Sequence, residues 1–384
     1  MNTKPLQLLF AMLLSAAASG NAATNTTSLP DGQLKSVVAC GNSLPHFDVP
    51  YKKQIRKKQK AKKNKANAAA TKGAFATNPI LPEFHADPEV MYSNKTKRYY
   101  IYSTTDGTPG WGGYTYKAFS SSDMKSWKDE GVVLNAKSSQ VAWADGNLWA
   151  PAIQEVKLAD GNYKYYLYFS ANPKNGGGKQ IGVAVADNPT GPFTDLGKPI
   201  IASTPKGCSG QEIDVDVFID PTTSKPYLYW GNGYMAGAEL EPSMTAIKPS
   251  TITVLTPEGG TLADYAYREA PYVFWRNGIY YFMWSVDDTG SPNYHVAYGT
   301  AKSPLGPIRV AEQPIVMQQN AANEAYGTAH NSVIQIPGTD EWRIVYHRIN
   351  KNFLHSDPGT HREVCIDRLE FNADGTIKQV VPSR

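Results

Sequence analysis

Five short polar segments recur along the chain at a near-constant interval, and this repetition limits the possible folds more than any other feature. Counted from Asp87 through Trp149, Asp214 and Glu269 to His330, the steps are 62, 65, 55 and 61 residues. Each segment is followed by an aromatic run of the kind that forms a β-strand. These runs are residues 98–102, 165–169, 227–230, 280–284 and 342–347.

Repetition with this period, built from short strands, is typical of radial or solenoid architectures. The sequence contains no long amphipathic helical pattern, and we predict four strands in each of the five repeats. The predicted fold class is therefore all-β, and the predicted architecture is a five-bladed β-propeller. In such a fold the innermost strand of every blade lines one central channel. We therefore expect two Asp, one Glu and one His side chain to converge on the axis.

Composition divides the chain into three predicted regions. Residues 1–22 contain one lysine, an apolar run and small residues, which is typical of a cleaved secretory signal. Residues 23–77 hold a lysine-rich block and an Ala/Asn/Thr-rich stretch, which predicts a disordered extension. Residues 78–384 hold the repeats. Because the apolar run is too short to span a bilayer, we expect a secreted, extracellular protein without a membrane partner, and a monomer.

The formal net charge of +4 does not describe the repeat region. Nine basic residues lie between positions 51 and 65, where there is no acidic residue, and the rest of the chain carries a charge of −5. Such a block is usually a solvated tail, although it could also tether the protein to polyanionic cell-wall polymers or mark a processing site. The repeats have no comparable basic patch, so we expect no nucleic-acid partner.

The chain has an odd number of cysteines. Cys40, Cys208 and Cys365 allow at most one internal disulfide bond and leave one thiol over. Their spacing matches no zinc site.

The recurring aspartates have an ordinary structural explanation when each is considered alone. Asp87 precedes a proline, which is common in plain turns. Asp214 and Asp216 alternate with aliphatic residues, so both could simply occupy the wet face of one strand. Asp216 is therefore an alternative to Asp214 as the functional residue of this segment.

The other recurring residues also allow a structural interpretation. Glu269 follows Arg268, with which it could form a surface ion pair. His330 could be a hydrogen-bonded structural histidine, and Trp149 a core residue. All five segments nevertheless stand just ahead of the aromatic strand of their repeat, and this shared position favours one common functional site.

Two or three carboxylates beneath aromatic side chains suit glycoside hydrolysis. That reaction needs one carboxylic acid to protonate the departing oxygen and one carboxylate to activate water or attack carbon. Crowding raises the pKa of one of the carboxyl groups, which supplies the acid near neutral pH. Aromatic faces can stack on sugar rings. The candidate aromatic residues are Trp111, Trp149, Trp230 and Trp284.

Taken together, these motifs resemble those of glycoside hydrolase family 43, over about residues 78–384. The opening segment, residues 78–88, is similar to the start of β-xylosidase and α-L-arabinofuranosidase members, and residues 122–131 and 362–375 also fit. The matching motifs are Asp87-Pro88, Trp149-Ala150-Pro151, Ile213-Asp214, Glu269-Ala270-Pro271-Tyr272 and His330-Asn331-Ser332.

The resemblance implies a five-bladed propeller and an inverting mechanism that uses three carboxylates. By position, Asp87 matches the general base and Glu269 the general acid. Asp214 matches the residue that orients the acid and tunes its pKa. Val215 stands where proline is frequent in the family, so Asp216 competes with Asp214 for this third role.

The resemblance also implies residues outside the carboxylate set. His330 matches an axial histidine often found beside a bound metal ion, commonly calcium, although the chemistry itself requires no cofactor. Arg362 matches an arginine near the site, and we predict that it binds substrate together with Trp111 and Trp149. Residues 107–113 form a Gly/Trp insert that could close one end of the pocket.

The expected function is that of a secreted, inverting hydrolase of pentose linkages in plant cell-wall polysaccharides. The linkages would be α-L-arabinofuranosyl or β-D-xylosyl, in carbohydrate derived from arabinan, arabinoxylan or xylan. One alternative is an endo-1,5-α-L-arabinanase or a galactan-acting hydrolase of the same fold. An alternative of another class is a carbohydrate-binding propeller without catalysis.

Overall fold

The computed structural model describes residues 77–384, and these residues form an all-β fold. The predicted signal, residues 1–22, and the lysine-rich extension with Cys40 lie outside the described residues, apart from position 77. Within the described range the helices are all short 3-10 turns, and none is long and apolar enough to cross a membrane. These turns are Pro109–Trp111, Pro249–Thr251, Leu262–Tyr265, Ala321–Asn323, Lys351–Phe353 and Pro358–Thr360.

The first three repeats form separate four-stranded antiparallel sheets with their strands in chain order. The first sheet has β1 (His85–Ser93), β2 (Arg98–Thr105), β3 (Thr115–Ser121) and β4 (Lys128–Asn135). The second has β5 (Ala144–Lys157), β6 (Tyr163–Pro173), β7 (Gln180–Ala186) and β8 (Thr194–Asp195). The third has β9 (Asp216–Ile219), β10 (Pro226–Trp230), β11 (Ala236–Glu239) and β12 (Thr253–Val254).

The fourth and fifth repeats share one seven-stranded sheet, because a single parallel bridge between His295 and Thr328 joins them. The fourth repeat has β13 (Glu269–Arg276), β14 (Ile279–Val286), β15 (His295–Ala301) and β16 (Arg309–Met317). The fifth has β17 (Tyr326–Gln335), β18 (Trp342–Ile349) and β19 (Arg362–Leu369). Four strands were predicted for every repeat, and in the described chain the fifth repeat has three.

The aromatic runs form the second strand of each repeat, and their tyrosines join neighbouring sheets. Tyr102 on β2 donates its hydroxyl hydrogen to the carbonyl oxygen of Pro189 in the second repeat. In the same way Tyr168 on β6 donates to Met244 and Tyr229 on β10 donates to Pro304, both at 2.7 Å. A buried tyrosine needs such a partner for its hydroxyl group. The aromatic rings thus fill the spaces between sheets, and their polar tips fix the spacing.

Apolar clusters lie between each repeat and the next, and one lies between the first and the fifth. In this last cluster Val90 and Ile101 of the first sheet pack with Val345 and Val364 of the fifth repeat. The backbone N–H of Ile80 also donates to the carbonyl oxygen of Val364 at 2.9 Å. The first strand of each repeat contacts the first strands of two other repeats. These five first strands therefore lie beside one another.

Candidate active site

All seven predicted site residues line one cavity of about 160 Å³. The predicted residues there are Asp87, Asp214, Glu269, His330, Arg362, Trp111 and Trp149. Further lining residues are Gln211, Ile213, Asn232, Arg268, Asp288 and Thr289. Trp230 and Trp284 do not line it, because they are 1% and 0% exposed and belong to the packing between sheets. The expectation that these two tryptophans stack on a sugar was wrong.

Each of the five recurring segments contains a residue with left-handed backbone geometry. These residues are Asp87, Ala150, Asp214, Ala270 and His330, with φ between 44° and 59°. A non-glycine residue in this region costs roughly 1–3 kcal/mol and is concentrated at functional sites. In four of the segments the strand pairing shifts at this point, and such bulges re-aim side chains. In two segments the left-handed residue is Ala150 or Ala270, and the predicted residue, Trp149 or Glu269, directly precedes it. These two residues therefore do not occupy the same structural position as Asp87, Asp214 and His330, although the sequence spacing implied that they did.

Side chains from neighbouring elements satisfy the backbone N–H groups that the irregular geometry frees. The N–H of Ala150 donates to Oγ1 of Thr104 at 2.8 Å, and that of His330 donates to Oγ of Ser285 at 3.1 Å. The N–H of Ala270 donates to Oδ2 of Asp214 at 3.1 Å. Asp214 therefore holds the backbone immediately after Glu269, which fixes the direction of the Glu269 side chain.

Asp87 is a buried carboxylate held by an arginine. Arg362 Nη1 donates to Asp87 Oδ1 at 2.9 Å, while Arg362 Nε donates to Asp106 Oδ2 at 2.8 Å. Burial alone would raise the pKa of Asp87, but the Arg362 guanidinium and His330 lower it well below its usual range. Asp87 is therefore ionised at neutral pH, as a group that accepts a proton from water must be.

Two histidines flank Asp87. His330 Nδ1 lies 3.2 Å from Asp87 Oδ1 and 3.9 Å from Asp214 Oδ2. His347 Nδ1 lies 3.2 Å from both the backbone nitrogen and Oδ1 of Asp87. Burial lowers the pKa of His347 to about 4, so its ring is neutral. We assign a hydrogen bond from the backbone N–H of Asp87 to Nδ1 of His347, because an unprotonated Nδ1 is an acceptor. The ring proton of the neutral His347 is then on Nε2, which faces Thr289.

No ready-made metal site accompanies His330. Among residues 77–384 no group of three or more His, Cys, Asp or Glu side chains is arranged to hold a metal ion. Calcium prefers six to eight oxygen ligands, whereas His330 offers one ring nitrogen beyond the one that faces Asp87. The protein donors at this position therefore do not fit calcium by themselves, and calcium beside His330 stays a prediction.

Glu269 is another buried carboxyl group of the cavity. Tyr294 donates its hydroxyl hydrogen to Glu269 Oε1 at 2.8 Å, and the Asn232 amide donates to Oε2. Burial raises the pKa of Glu269, although Tyr294, Arg268 and Asn232 oppose that rise. Burial and the neighbouring Glu269 also raise the pKa of Asp214. The two groups titrate as a pair, so the pair holds a proton to higher pH than an ordinary carboxyl group does.

Asp214 and Asp216 occupy different environments. Asp214 lines the cavity, whereas Asp216 does not, and its Oδ2 accepts the backbone N–H of Val273 at 2.7 Å. Burial raises the pKa of Asp216 to about 8. The pKa of Glu89 is also raised, mainly by burial and to a smaller extent by the charge of Asp216. The geometry therefore favours Asp214 as the third carboxylate of the cavity.

An aromatic wall borders the cavity. Trp149 Nε1 donates to the carbonyl oxygen of Trp111 at 2.9 Å, and the two rings meet edge to face with centroids 6.1 Å apart. The Lys179 ammonium lies 3.2 Å from the centroid of the Trp149 ring. Gly359 allows the chain to approach Trp111, since a Cβ there would lie 2.5 Å from the indole. The predicted Gly/Trp insert thus contributes Trp111 to the cavity.

Sequence inspection missed several polar residues that hold the predicted ones. Asp106, Asn232 and Asp288 bind Arg362, Glu269 and Arg268, respectively. Each follows the second strand of its repeat by one or two residues. A polar residue at the end of each aromatic run was a usable signal, because that end lies beside the start of the first strand. Tyr294 had no comparable signal, because it lies outside the aromatic runs, whereas His347 is the last residue of the run 342–347.

Comparison with known proteins identifies relatives over most of the described chain. The family model for glycosyl hydrolases family 43 matches residues 76–377. The chain is 35% identical over 324 residues to a β-D-galactofuranosidase of Aspergillus niger, which covers 82% of this chain and 87% of that protein. It is 30% identical over 352 residues to an arabinoxylan arabinofuranohydrolase of Bacillus subtilis, which covers 79% of this chain and 64% of that protein.

A solved structure of similar fold carries a bound sugar. It is a family 43 β-xylosidase/α-arabinofuranosidase from a compost microbial metagenome, in complex with xylotriose and in a calcium-free form. The TM-score is 0.64 at 25% sequence identity, and the match covers 81% of this chain and 98% of the other. The cavity carboxylates described above thus lie in a fold that binds an oligosaccharide in a relative.

Proposed function

The chain belongs to glycosyl hydrolase family 43 and is an O-glycoside hydrolase, and on this premise we propose that it is an inverting exo-enzyme that releases terminal pentose units. The units are α-L-arabinofuranosyl or β-D-xylosyl groups of plant cell-wall polysaccharides. One observation supports this proposal above all. A single cavity holds a carboxylate whose pKa is lowered, Asp87, and a pair of carboxyl groups whose pKa values are raised, Glu269 and Asp214.

The proposed roles follow from these proton affinities. Asp87 takes a proton from the attacking water, because Arg362 keeps its carboxylate ionised. Glu269 gives a proton to the glycosidic oxygen, and Asp214 positions it through the Ala270 N–H. Inversion requires that a water fit between base and sugar, so we expect the carboxyl groups of Asp87 and Glu269 to stand ~6.5–9.5 Å apart. His330 orients Asp87 from the cavity side.

The exo part of the proposal rests on the aromatic wall. A hydrogen bond joins Trp149 to Trp111, and residues 358–360 pack against Trp111 at Gly359, which has no side chain. A wall on one side limits how far a polysaccharide can extend past the cleaved unit. Endo-arabinanase action, the alternative, needs a groove open at both ends.

The architecture belongs to the same proposal. We infer five blades in a closed ring, with the site at the axis. The apolar cluster between the first and fifth repeats supports closure, as does the Ile80–Val364 backbone bond. Secretion as a monomer is a further part of the proposal.

A second candidate substrate is the β-D-galactofuranosyl group, because the Aspergillus niger relative is named a β-D-galactofuranosidase. This sugar has the ring configuration of an α-L-arabinofuranosyl group and carries a larger exocyclic substituent. A site that accepts the longer substituent needs space beyond the ring. The two substrates therefore differ in fit rather than in the chemistry that Asp87 and Glu269 perform.

A substrate screen tests the proposal. The purified protein is incubated with nitrophenyl α-L-arabinofuranoside, β-D-xyloside and β-D-galactofuranoside, and with linear arabinan. We expect turnover of at least one pentoside, with proton NMR showing the inverted anomer first. A retained anomer contradicts the mechanism, and long oligosaccharides from arabinan contradict exo action. Preference for the galactofuranoside selects the second candidate.

A further inference from the structure

A charged pair at the cavity has no part in the mechanism above. Arg268 Nη2 donates to Asp288 Oδ2 at 3.2 Å, and both residues line the cavity. Arg268 directly precedes Glu269, and its Nε lies 4.0 Å from Glu269 Oε2, beyond hydrogen-bonding range. The pair therefore stands beside the proposed acid.

Most hydrogen-bond donors of Arg268 have no acceptor among residues 77–384. A guanidinium carries five N–H donors. Within residues 77–384, Asp288 is the only side chain that accepts from Arg268, and the buried Nε has no partner. A buried donor without an acceptor destabilises the folded protein. The arginine thus retains donor capacity at the cavity that the folded protein does not use.

A second Arg–Asp pair provides a contrast, because Arg268 directly precedes β13 and Arg276 ends it. At the far end of β13, Arg276 uses both Nε and Nη2 to bind the two carboxylate oxygens of Asp340, at 3.0 and 2.5 Å. In this bidentate geometry, two N–H groups of Arg276 each donate to a different oxygen of the Asp340 carboxylate. Arg268 makes only one bond to Asp288. The two pairs have the same composition, but Arg276 binds its partner through Nε, whereas the buried Nε of Arg268 has no acceptor within residues 77–384.

The position of Glu269 indicates which sugar would meet this pair. A general acid must face the glycosidic oxygen, so the departing sugar lies on the acid's side of the cavity. Asp87 has Arg362 as its arginine partner, and the Arg362 guanidinium lies 5.3 Å from the Trp111 ring. Arg268 is instead the arginine next to Glu269. The cavity therefore has one arginine for the base and another for the acid.

We propose that Arg268 and Asp288 form the subsite for the leaving-group sugar, and that this sugar is a neutral xylose-type unit of a xylan chain. This inference rests on the proposed function. Adjacent hydroxyl groups of such a unit can accept from the guanidinium and donate to the carboxylate. Asp288 is 61% exposed in its side chain, so it can reach a ligand, and its negative charge disfavours an acidic sugar.

The neighbouring Thr289 connects this subsite to the arginine that binds the proposed base, Asp87. Its Oγ1 accepts from Arg362 Nη1 at 3.0 Å, while Asp288 Oδ1 accepts the N–H of Gly290 at 3.0 Å. Consecutive residues of one turn therefore contact the arginine of the acid side and the arginine of the base side. This connection holds Asp288 at a fixed distance from the cleaved bond.

Binding of xylotriose, measured by calorimetry, tests the subsite. The parent is Glu269→Gln, which prevents turnover. Adding Arg268→Met should raise the dissociation constant about 10-fold or more, as expected for loss of a charged hydrogen bond, while adding Arg276→Met leaves it unchanged. Equal affinity in the parent and the Arg268 variant, or no binding to the parent, overturns the proposal.

A kinetic comparison separates this subsite from an effect on the acid. With Glu269 intact, Arg268→Met should lower kcat/KM at least about 10-fold more for a xylo-oligosaccharide-linked substrate than for the nitrophenyl glycoside. Equal losses on both substrates mean that Arg268 acts only through Glu269, which overturns the proposal. If the wild type cleaves no glycoside yet xylotriose binding depends on Arg268, the proposed function fails and the subsite stands.

Discussion

Arg362 donates a 2.9 Å hydrogen bond from Nη1 to Oδ1 of Asp87, although the two residues are 275 positions apart in sequence. Both side chains are buried, with exposures of 3% and 7%. The same guanidinium also binds Asp106 through Nε and Nη2. One arginine thus joins the first strand of the first repeat to the last strand of the fifth, and it sets the charge of the proposed base.

Arg362→Lys should move the acidic limb of the kcat/KM profile to higher pH. Arg362 lowers the pKa of Asp87, and activity is lost as pH falls through that pKa. Lysine is a point charge that cannot bind Asp87 and Asp106 with the same fork, so the pKa of Asp87 should rise. The pH–rate profile of the variant measures the shift. Arg276→Lys is the control, and an unmoved limb would show that Arg362 does not set this pKa.

Glu269→Gln should abolish turnover of substrates with poor leaving groups and spare activated aryl glycosides in part. Aryl groups depart with little protonation, so they need the acid less. Asp87→Asn should lose at least about 100-fold on both substrate types, because water activation is common to them. Steady-state kinetics on a nitrophenyl glycoside and an oligosaccharide provide the comparison. A variant of Asp87 with more than roughly a tenth of wild-type activity would require another base.

Asp214→Asn should move the basic limb of the profile to lower pH, whereas Asp216→Asn should leave it in place. Glu269 must be protonated, so activity is lost as pH rises through its pKa. Glu269 raises the pKa of Asp214, and because repulsion between two carboxylates is mutual, removing the charge of Asp214 should lower the pKa of Glu269. Profiles of the two variants side by side make the test. A larger shift in the Asp216 variant would transfer the third role to Asp216.

Asp216→Asn should change how stability depends on pH. Burial raises the pKa of Asp216 to about 8 in the folded protein, against ~3.9 in an unfolded chain. The folded state therefore binds more protons between these values, and its stability falls as pH rises from about 4 to about 8. Asparagine can still accept the Val273 N–H and does not titrate. Urea unfolding at pH 5 and pH 8 should show a smaller loss in the variant than in the wild type.

Gly359→Ala should weaken substrate binding through Trp111. An added Cβ would lie 2.5 Å from the Trp111 ring, so the indole must move. We expect KM to rise several-fold, about 1 kcal/mol for a shifted aromatic contact, with a smaller effect on kcat. Gly146→Ala is the control, because its Cβ would meet Tyr114 at an ordinary 3.9 Å. An unchanged KM in the Gly359 variant would remove Trp111 from the binding wall.

Five of the seven cavity residues predicted from sequence belong to the repeat, and the other two are Trp111 and Arg362. Asp87, Asp214 and His330 mark the left-handed position of their segments, and Glu269 and Trp149 stand one residue before it. The spacing located all five without showing this offset. The offset depends on which residue takes the strained backbone geometry, and neighbouring strands decide that by supplying acceptors such as Ser285 and Thr104.

The sequence by itself determined the all-β class, the aromatic second strands and the seven predicted residues that meet at the cavity, because alternation, ring size and repeat spacing can be read along the chain. Only the tertiary structure decided which partners each carboxyl group has. Arg362 on Asp87, Tyr294 on Glu269 and Asp216 away from the cavity are contacts between distant segments. Proton affinity depends on burial and on charges within a few ångströms, and no spacing along the chain reports those distances.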